Sequence, residues 1–366
     1  MHVTRLELRH LRRFEELRLD PAPGLNLITG DNGAGKTSVL EALHLMAYGR
    51  SFRGRVRDGL VRSGDPALEV FIEWHENPIG RAAEGVRTRR AGLRHSGQDW
   101  TGRLDGESVA QLGDLCAALA VVTFEPGSHA LITGGGESRR RFLDWGLFHV
   151  EQGFMPVWRR YARAHKQRNA LLKGRAPESQ LDAWDRELAD AGEPLARYRE
   201  QYLEQLQPRF SALLGELAPA LGLSRLEYAP GWRREELPLA DALLLARARD
   251  LVAGYTSVGP HRADWRIEFG ALPGREALSR GQAKLTALAA LLAQAEHHDS
   301  VHGEWPVVAL DDLASELDRT HQGRVLQRLS ASGAQIFVTG TDLPSGMPAS
   351  SLLTRFHVEQ GRLASA

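Results

Sequence analysis

The chain has 366 residues, 42% of them hydrophobic, with 46 basic side chains balanced by 46 acidic ones. That length points to two or more lobes, and zero net charge excludes a bulk field drawing the whole protein to nucleic acid or membrane. A lone cysteine, Cys116, excludes an intramolecular disulfide and fits a reducing cytoplasm. The longest apolar run, Leu285 to Ala293, is too short to span a bilayer, and residues 1–15 lack the apolar core of a signal peptide. The expected location is cytoplasmic, with no membrane partner.

In chain order, Val3, Leu6, Leu8, Leu11, Phe14, Leu17 and Leu19 alternate as one or two strands. Arg12 and Arg13 between them either reach back to a bound nucleotide or are solvated strand-edge arginines. Leu25 to Thr29 reads as a short buried strand. Gly30, Asp31, Asn32, Gly33, Ala34, Gly35, Lys36 and Thr37 follow it and fit the phosphate-loop pattern G-x-x-x-x-G-K-[ST]. Ser38 then leads into Val39, Leu40, Leu43 and Met46 at helical spacing. The glycines allow backbone N–H groups to close on phosphates at a helix N-terminus. Lys36 reaches the β- and γ-phosphates, and the Thr37 hydroxyl sits on Mg²⁺. Lysine is scarce, with only Lys36, Lys166, Lys173 and Lys284, which argues against a chance match. ATP and Mg²⁺ are the expected cofactors.

A glycine-broken basic loop follows, in which Arg53, Arg55 and Arg57 are candidate DNA contacts. Residues 67–103 read as short strands and turns with a second basic cluster at Arg87, Arg89, Arg90 and Arg94. From 137 to 240 the pattern becomes helical, with Leu195, Tyr198, Tyr202, Leu206, Phe210, Leu213 and Leu217 along one face. Gly192 and Pro194 interrupt it, so a bundle with no helix longer than about 27 residues, or about 40 Å, is expected. The 139–175 side is basic and 178–204 leans acidic. Such an arm either lies on nucleic acid by its basic side or packs the two sides together.

The last third returns to α/β character, which divides the chain into a head at 1–136, a helical arm at 137–240 and a second head part at 241–366. Val307 to Leu310 is an apolar run that marks a parallel strand buried on both faces, and Asp311 and Asp312 close it. This is a Walker B arrangement in which Asp311 holds the metal and Asp312 orients or deprotonates the attacking water. Another strand is expected at Gln335 to Thr339. Leu278, Ser279, Arg280, Gly281 and Gln282 open an apolar helix and match the L-S-G-G-Q signature of ABC ATPases, with Arg280 for a glycine. Ser315 to Asp318 matches the D-loop of that class. Ser279, Gly281 and Gln282 thus offer a second anion site, one that in ABC enzymes closes over the γ-phosphate of another subunit. His297, His298 and His302 approach metal-ligand spacing, but no Cys or carboxylate cluster completes a site.

Three further stretches narrow the resemblance: Ser51-Phe52-Arg53, the run Arg139 to Asp144, and Thr256 to Asp264, which follows T-x-x-G-P-H-R-x-D. With the ATPase motifs, they make the chain resemble the RecF family of bacterial recombination-repair ATPases over nearly its full length. The resemblance implies an α/β, ABC/SMC-type P-loop ATPase head with an inserted short helical arm. It also implies an ATP-dependent homodimer on single-stranded and gapped duplex DNA, and partnership with RecR and RecO to help load RecA. The chain departs from ABC enzymes at Gly340, where a γ-phosphate-sensing histidine is usual and Thr339 or Thr341 could substitute. Asp312 replaces a common glutamate, which implies slow hydrolysis, and no glutamine is assigned to the Q-loop. A P-loop phosphotransferase acting on a small molecule is the alternative. The signature and D-loop argue against it, since a monomeric kinase needs neither, and the short arm argues against a chromosome-organising rod.

Overall fold

The computed structural model describes residues 1–54, 59–76, 85–175, 177–344 and 353–364. In chain order the elements begin β1 (His2–Leu11), β2 (Phe14–Leu19), β3 (Leu25–Thr29), α1 (Lys36–Tyr48), β4 (Leu68–Glu76), β5 (Arg87–His95), β6 (Trp100–Leu104), β7 (Glu107–Val109), α2 (Leu112–Ala118) and β8 (Val121–Phe124). There follow α3 (Ala130–Thr133), α4 (Gly136–Val150), α5 (Phe154–Lys173), α6 (Asp182–Leu217), β9 (Ser224–Ala229), α7 (Leu239–Ala253), β10 (Asp264–Phe269) and α8 (Arg280–His302). The chain closes with β11 (Val307–Leu310), α9 (Leu313–Glu316), α10 (Arg319–Ser332), β12 (Ile336–Gly340), β13 (Leu353–Glu359) and β14 (Arg362–Ala364). They form two compact units, Met1–Ser128 with Ala290–Ala366, and His129–Ala289.

The first unit holds two six-stranded sheets. One, ordered β2-β1-β4-β5-β6-β7, is antiparallel. Its alternating sequences bury one face, as in β4, where Leu68, Val70, Ile72 and Trp74 point inward. The other, ordered β14-β13-β3-β12-β11-β8, is parallel except for the terminal β13–β14 pair. All four residues of β11 are buried, as its continuous apolar sequence requires of a strand covered on both faces. Gln335 lies just before β12. Fully buried, its amide accepts from Val3 N and donates to the Val3 and Ala22 carbonyls. Cys116 is buried on α2, and burial pushes its thiol up to about 12, as befits a small core hydrophobe. Among the described residues no helix is long and apolar enough to cross a membrane.

The second unit runs beyond the 137–240 arm at both ends, because α7 and β9 pack with α6 and β10 pairs antiparallel with β9. Its main helix also differs from expectation. α6 continues for 36 residues, about 54 Å, through Gly192, Pro194 and Pro208. A proline removes one helical hydrogen bond locally, whereas the apolar face from Leu188 to Leu217 is buried throughout, so packing overrides the local break. Gly192 serves close approach: a Cβ there would lie 2.4 Å from Leu239 Cδ2 and 3.2 Å from Tyr161 Cε2.

The stretches Arg139–Asp144 and Thr256–Asp264 interlock inside this unit. Arg139 makes a two-pronged ion pair with Asp264, at 2.5 and 2.9 Å, and Arg140 donates to the Ala263 carbonyl at 2.7 Å. Arg199 of α6 reaches Asp144 at 2.8 and 2.9 Å and the Pro260 carbonyl at 2.7 Å. The buried Arg168 bridges Asp185, Asp250 and Thr256. His261 Nε2 is 2.9 Å from the Thr256 carbonyl, which fixes its proton there, and Nδ1 accepts from the Tyr161 hydroxyl at 2.8 Å. Burial lowers this histidine to about 3, so it stays neutral, a structural turn histidine with both ring nitrogens engaged within its own chain.

Replacing Gly192 by valine forces α6 off α7. We expect a loss of about 1–3 kcal/mol of unfolding free energy, the usual range for overpacking, read from urea titration by circular dichroism. An unchanged midpoint would mean that α7 yields freely and that the close approach is unimportant.

Candidate nucleotide-binding site

Parallel pairing places the carboxyl ends of β3, β12 and β11 side by side, with β12 in the middle. The phosphate loop leaves β3 there, Asp311 and Asp312 leave β11, and Thr339 and Gly340 end β12. Such an edge is where parallel α/β sheets bind ligands. Gly30 has φ 148°, and a Cβ on it would collide with the Val358 carbonyl of the neighbouring β13 at 2.1 Å. Gly35 has φ 120° and lies against the Phe14 ring, so neither position accepts a side chain. α1 begins at Lys36 with no side-chain cap and no acidic residue in its first turn. Its N-terminal field is therefore open to an anion from outside the chain.

Lys36 is 9% exposed, and its ammonium donates to the Gly30 and Asp31 carbonyls at 2.7 and 2.9 Å. The charge is thus held over the loop, where phosphate oxygens would exchange for those carbonyls. Asp31, Asn32 and Gly33 are exposed, while Ala34 and Ser38 are buried. Arg13 touches the loop, donating to the Gly33 carbonyl at 2.8 Å. Arg12, at φ 55°, binds Glu41 of α1 by bonds of 3.0 and 2.7 Å.

Asp311 Oδ1 accepts from Thr37 Oγ1 at 3.0 Å and from Thr339 Oγ1 at 2.7 Å. Burial raises the Asp311 pKa; the two hydroxyls and Arg53 pull it back, and the Asp312 charge adds to the rise. A buried carboxylate beside a hydroxyl supplies two hard oxygen donors, a set that fits Mg²⁺ completed by waters and phosphate oxygens. Among the described residues no three His, Cys, Asp or Glu side chains cluster in a way that could hold a metal ion. Asp312 sits at φ 51°, its N–H bonded to Thr339 Oγ1 at 2.8 Å. Its carboxylate makes no capping bond to α9 and is half-buried. Thr339 is therefore committed to the two aspartates, while the exposed Thr341 donates to Asp342.

Sequence reasoning missed Glu41. It is fully buried and takes Arg12, the Ser51 hydroxyl and, at 4.0 Å, Arg53. A carboxylate within the mostly apolar run Val39 to Ala47 was the available signal. Also missed was His357, whose Nδ1 lies 3.0 Å from Thr29 Oγ1 at the edge of the loop. Arg53 is 47% exposed beside Glu41, while Arg55 and Arg57 lie outside the described residues. The Arg87–Arg94 cluster is neutralised in place. β5 pairs with β4 so that Arg90 meets Glu73 at 2.7 Å, Arg94 meets Glu69 at 3.5 Å, and Arg89 meets both Glu76 and Asp105.

The signature turn belongs to the second unit. Ser279 and Gln282 form a reciprocal capping box, Gln282 N to Ser279 Oγ at 3.2 Å and Ser279 N to Gln282 Oε1 at 2.9 Å. Ser279, Arg280 and Gly281 are exposed, and a Cβ added to Gly281 would meet nothing within 4 Å. Among the described residues no contact calls for glycine there. The D-loop ends on Asp318, which caps α10 by accepting from Thr320 N and His321 N.

The family described as RecF/RecN/SMC N terminal domain matches residues 2–363. A "DNA replication and repair protein RecF" from Stenotrophomonas maltophilia (strain R551-3) is 68% identical over 365 residues, all of both chains. One from Thioalkalivibrio sulfidiphilus (strain HL-EbGR7) is 40% identical over 99% of both. Among solved structures, "the recombination mediator protein RecF-ATP in RecFOR pathway" superposes with a TM-score of 0.86 at 26% identity, covering 100% of this chain and 97% of that one. An Smc head bound to part of ScpA shares the fold, with a TM-score of 0.61 at 16% identity over 100% of this chain and 98% of that one. The chain belongs to the RecF family of the RecF/RecN/SMC ATPases.

Proposed function

We propose that this chain is an ATP-gated DNA-binding protein of recombinational repair. Two copies close on ATP and Mg²⁺, bind single-stranded and gapped duplex DNA, and act with RecR and RecO to help load RecA. Slow, DNA-stimulated hydrolysis times release. The names of its relatives and the ATP-bound structural match supply the pathway and the nucleotide.

The observation that carries the dimer is the signature turn. Its outer face is exposed, and Gly281 answers to no neighbour among the described residues. The turn is thus shaped for a close approach from outside, which a nucleotide held on another copy's phosphate loop would supply. In the assembled site Lys36 neutralises phosphate, Thr37 and Asp311 hold the metal, and Asp312, free of capping duty, orients water. The short Asp312 side chain suits slow turnover. A small-molecule phosphotransferase needs neither an exposed signature nor a D-loop, and no observation favours that reading.

Lys36→Ala removes the only cation that the loop itself carries. Nucleotide affinity is expected to fall about 10–100-fold, the worth of a charge-assisted hydrogen bond, with ATP-driven dimerisation lost alongside it. Calorimetry showing unchanged affinity would sink the site assignment.

The two aspartates should separate. Asp312→Asn is expected to keep ATP binding and dimerisation while turnover drops about 10²–10⁴-fold, the usual contribution of a general base. Asp311→Asn should weaken Mg²⁺·ATP binding itself. Identical behaviour of the two variants in parallel binding and phosphate-release assays would refute this division.

Ser279→Arg tests the composite site. Monomer ATP affinity should be intact and ATP-dependent dimerisation, followed by light scattering, abolished. Mixed with Lys36→Ala chains, it should regain part of the ATPase activity, since each heterodimer holds one intact loop facing one intact signature. Absence of recovery with both variants folded would count against a two-subunit site.

A further inference from the structure

α5 carries six basic residues and no acidic one. Arg168 is buried against Asp185 and Asp250, and Arg160 pairs with Glu187 at 2.6 and 2.7 Å and with Asp190 at 3.7 Å. The other four, Arg159, Arg163, Lys166 and Lys173, are all exposed, and none has a carboxylate partner within ion-pair distance among the described residues. At 100° per residue they fall within about 80° of the helix circumference, whereas Arg168 lies roughly opposite. Glu187, which Arg160 already holds, also lies within the field of Arg163. The arginines of β5 are cancelled by facing glutamates; this stripe is not.

We propose that the exposed face of α5 is a docking surface for the phosphate backbone of duplex DNA. The inference rests on the reading of the chain as a DNA-binding protein and names the surface that does the binding. Arg159 to Lys173 spans fourteen residue steps, about 21 Å of helix. One strand of a duplex presents a phosphate every 3.4 Å, so the stripe lies alongside about six phosphates. The occupant is a duplex rather than a single strand because the stripe carries no aromatic side chain on which bases could stack. Trp158, the nearest, is 37% exposed and gives its indole N–H to Asp144. Cations without base-reading groups bind any sequence, and the binding weakens steeply with salt.

The test uses the full-length protein with ATP and Mg²⁺, a blunt 30-base-pair duplex and a single strand of equal length, at several salt concentrations. The variant carries Arg159→Gln, Arg163→Gln, Lys166→Gln and Lys173→Gln together. All four side chains are solvent-facing and glutamine is a good helix former, so melting temperature and ATP-driven dimerisation should match the parent. Duplex affinity is expected to fall about 10²–10³-fold near 0.1 M salt, and the log–log salt slope to flatten by about 0.9 for each phosphate no longer neutralised. A control variant with Arg87→Gln and Arg90→Gln should keep the parental slope. An unchanged slope in the fourfold variant, with the parent binding duplex normally, overturns this surface alone. Loss confined to the single strand overturns the duplex as occupant. Loss of polyglutamate binding with duplex binding intact would give the stripe to an acidic protein segment instead. A parent that binds no DNA with ATP defeats the underlying functional reading as well.

Discussion

A single carboxylate oxygen, Asp311 Oδ1, receives hydroxyls from two directions, Thr37 from the helix after the phosphate loop and Thr339 from the strand between. An ionised carboxylate buried this deeply is unfavourable without compensation, and two neutral hydroxyls compensate it only in part. The residual deficit is one that a divalent cation would make good. The same two bonds tie the ends of three adjacent strands together, so the phosphate loop, Asp311 and Asp312 share one framework. Thr339 also receives the Asp312 N–H, which leaves no slack between the two aspartates.

The ATPase half of the site was legible because its chemistry is local. A glycine-rich turn between strand and helix, and two carboxylates after an apolar run, each carry their role in adjacent residues. What was not legible depends on registers and packing that linear order conceals. The arginines of β5 read as a basic cluster until the β4 register sets glutamates opposite them. Gly192 and Pro194 of α6 read as breaks until a long buried face holds the helix together. Arg12 and Arg13, neighbours in sequence, part company because Arg12 adopts a left-handed backbone and turns to Glu41.

The stretches most specific to the family have a different physical meaning from their appearance. Arg139, Arg140, Asp144, Thr256, His261 and Asp264 spend their polar groups on one another and on α5 and α6, inside the second unit. A sequence rich in arginine and histidine thus builds an internal scaffold of ion pairs where an apolar core would otherwise stand. Such a scaffold gains specificity more than stability, since buried charges orient only one set of neighbours.

The left-handed backbone at Asp312 bears on how this site can evolve. Aspartate and asparagine tolerate that conformation better than residues with longer side chains, whose Cβ substituents crowd the following carbonyl at roughly 1 kcal/mol or more. A drift to glutamate, which would lengthen the carboxylate, would meet that strain first. The backbone therefore resists a longer side chain at this position, and a lineage placing one there would have to remodel the β11–α9 turn before changing the side chain.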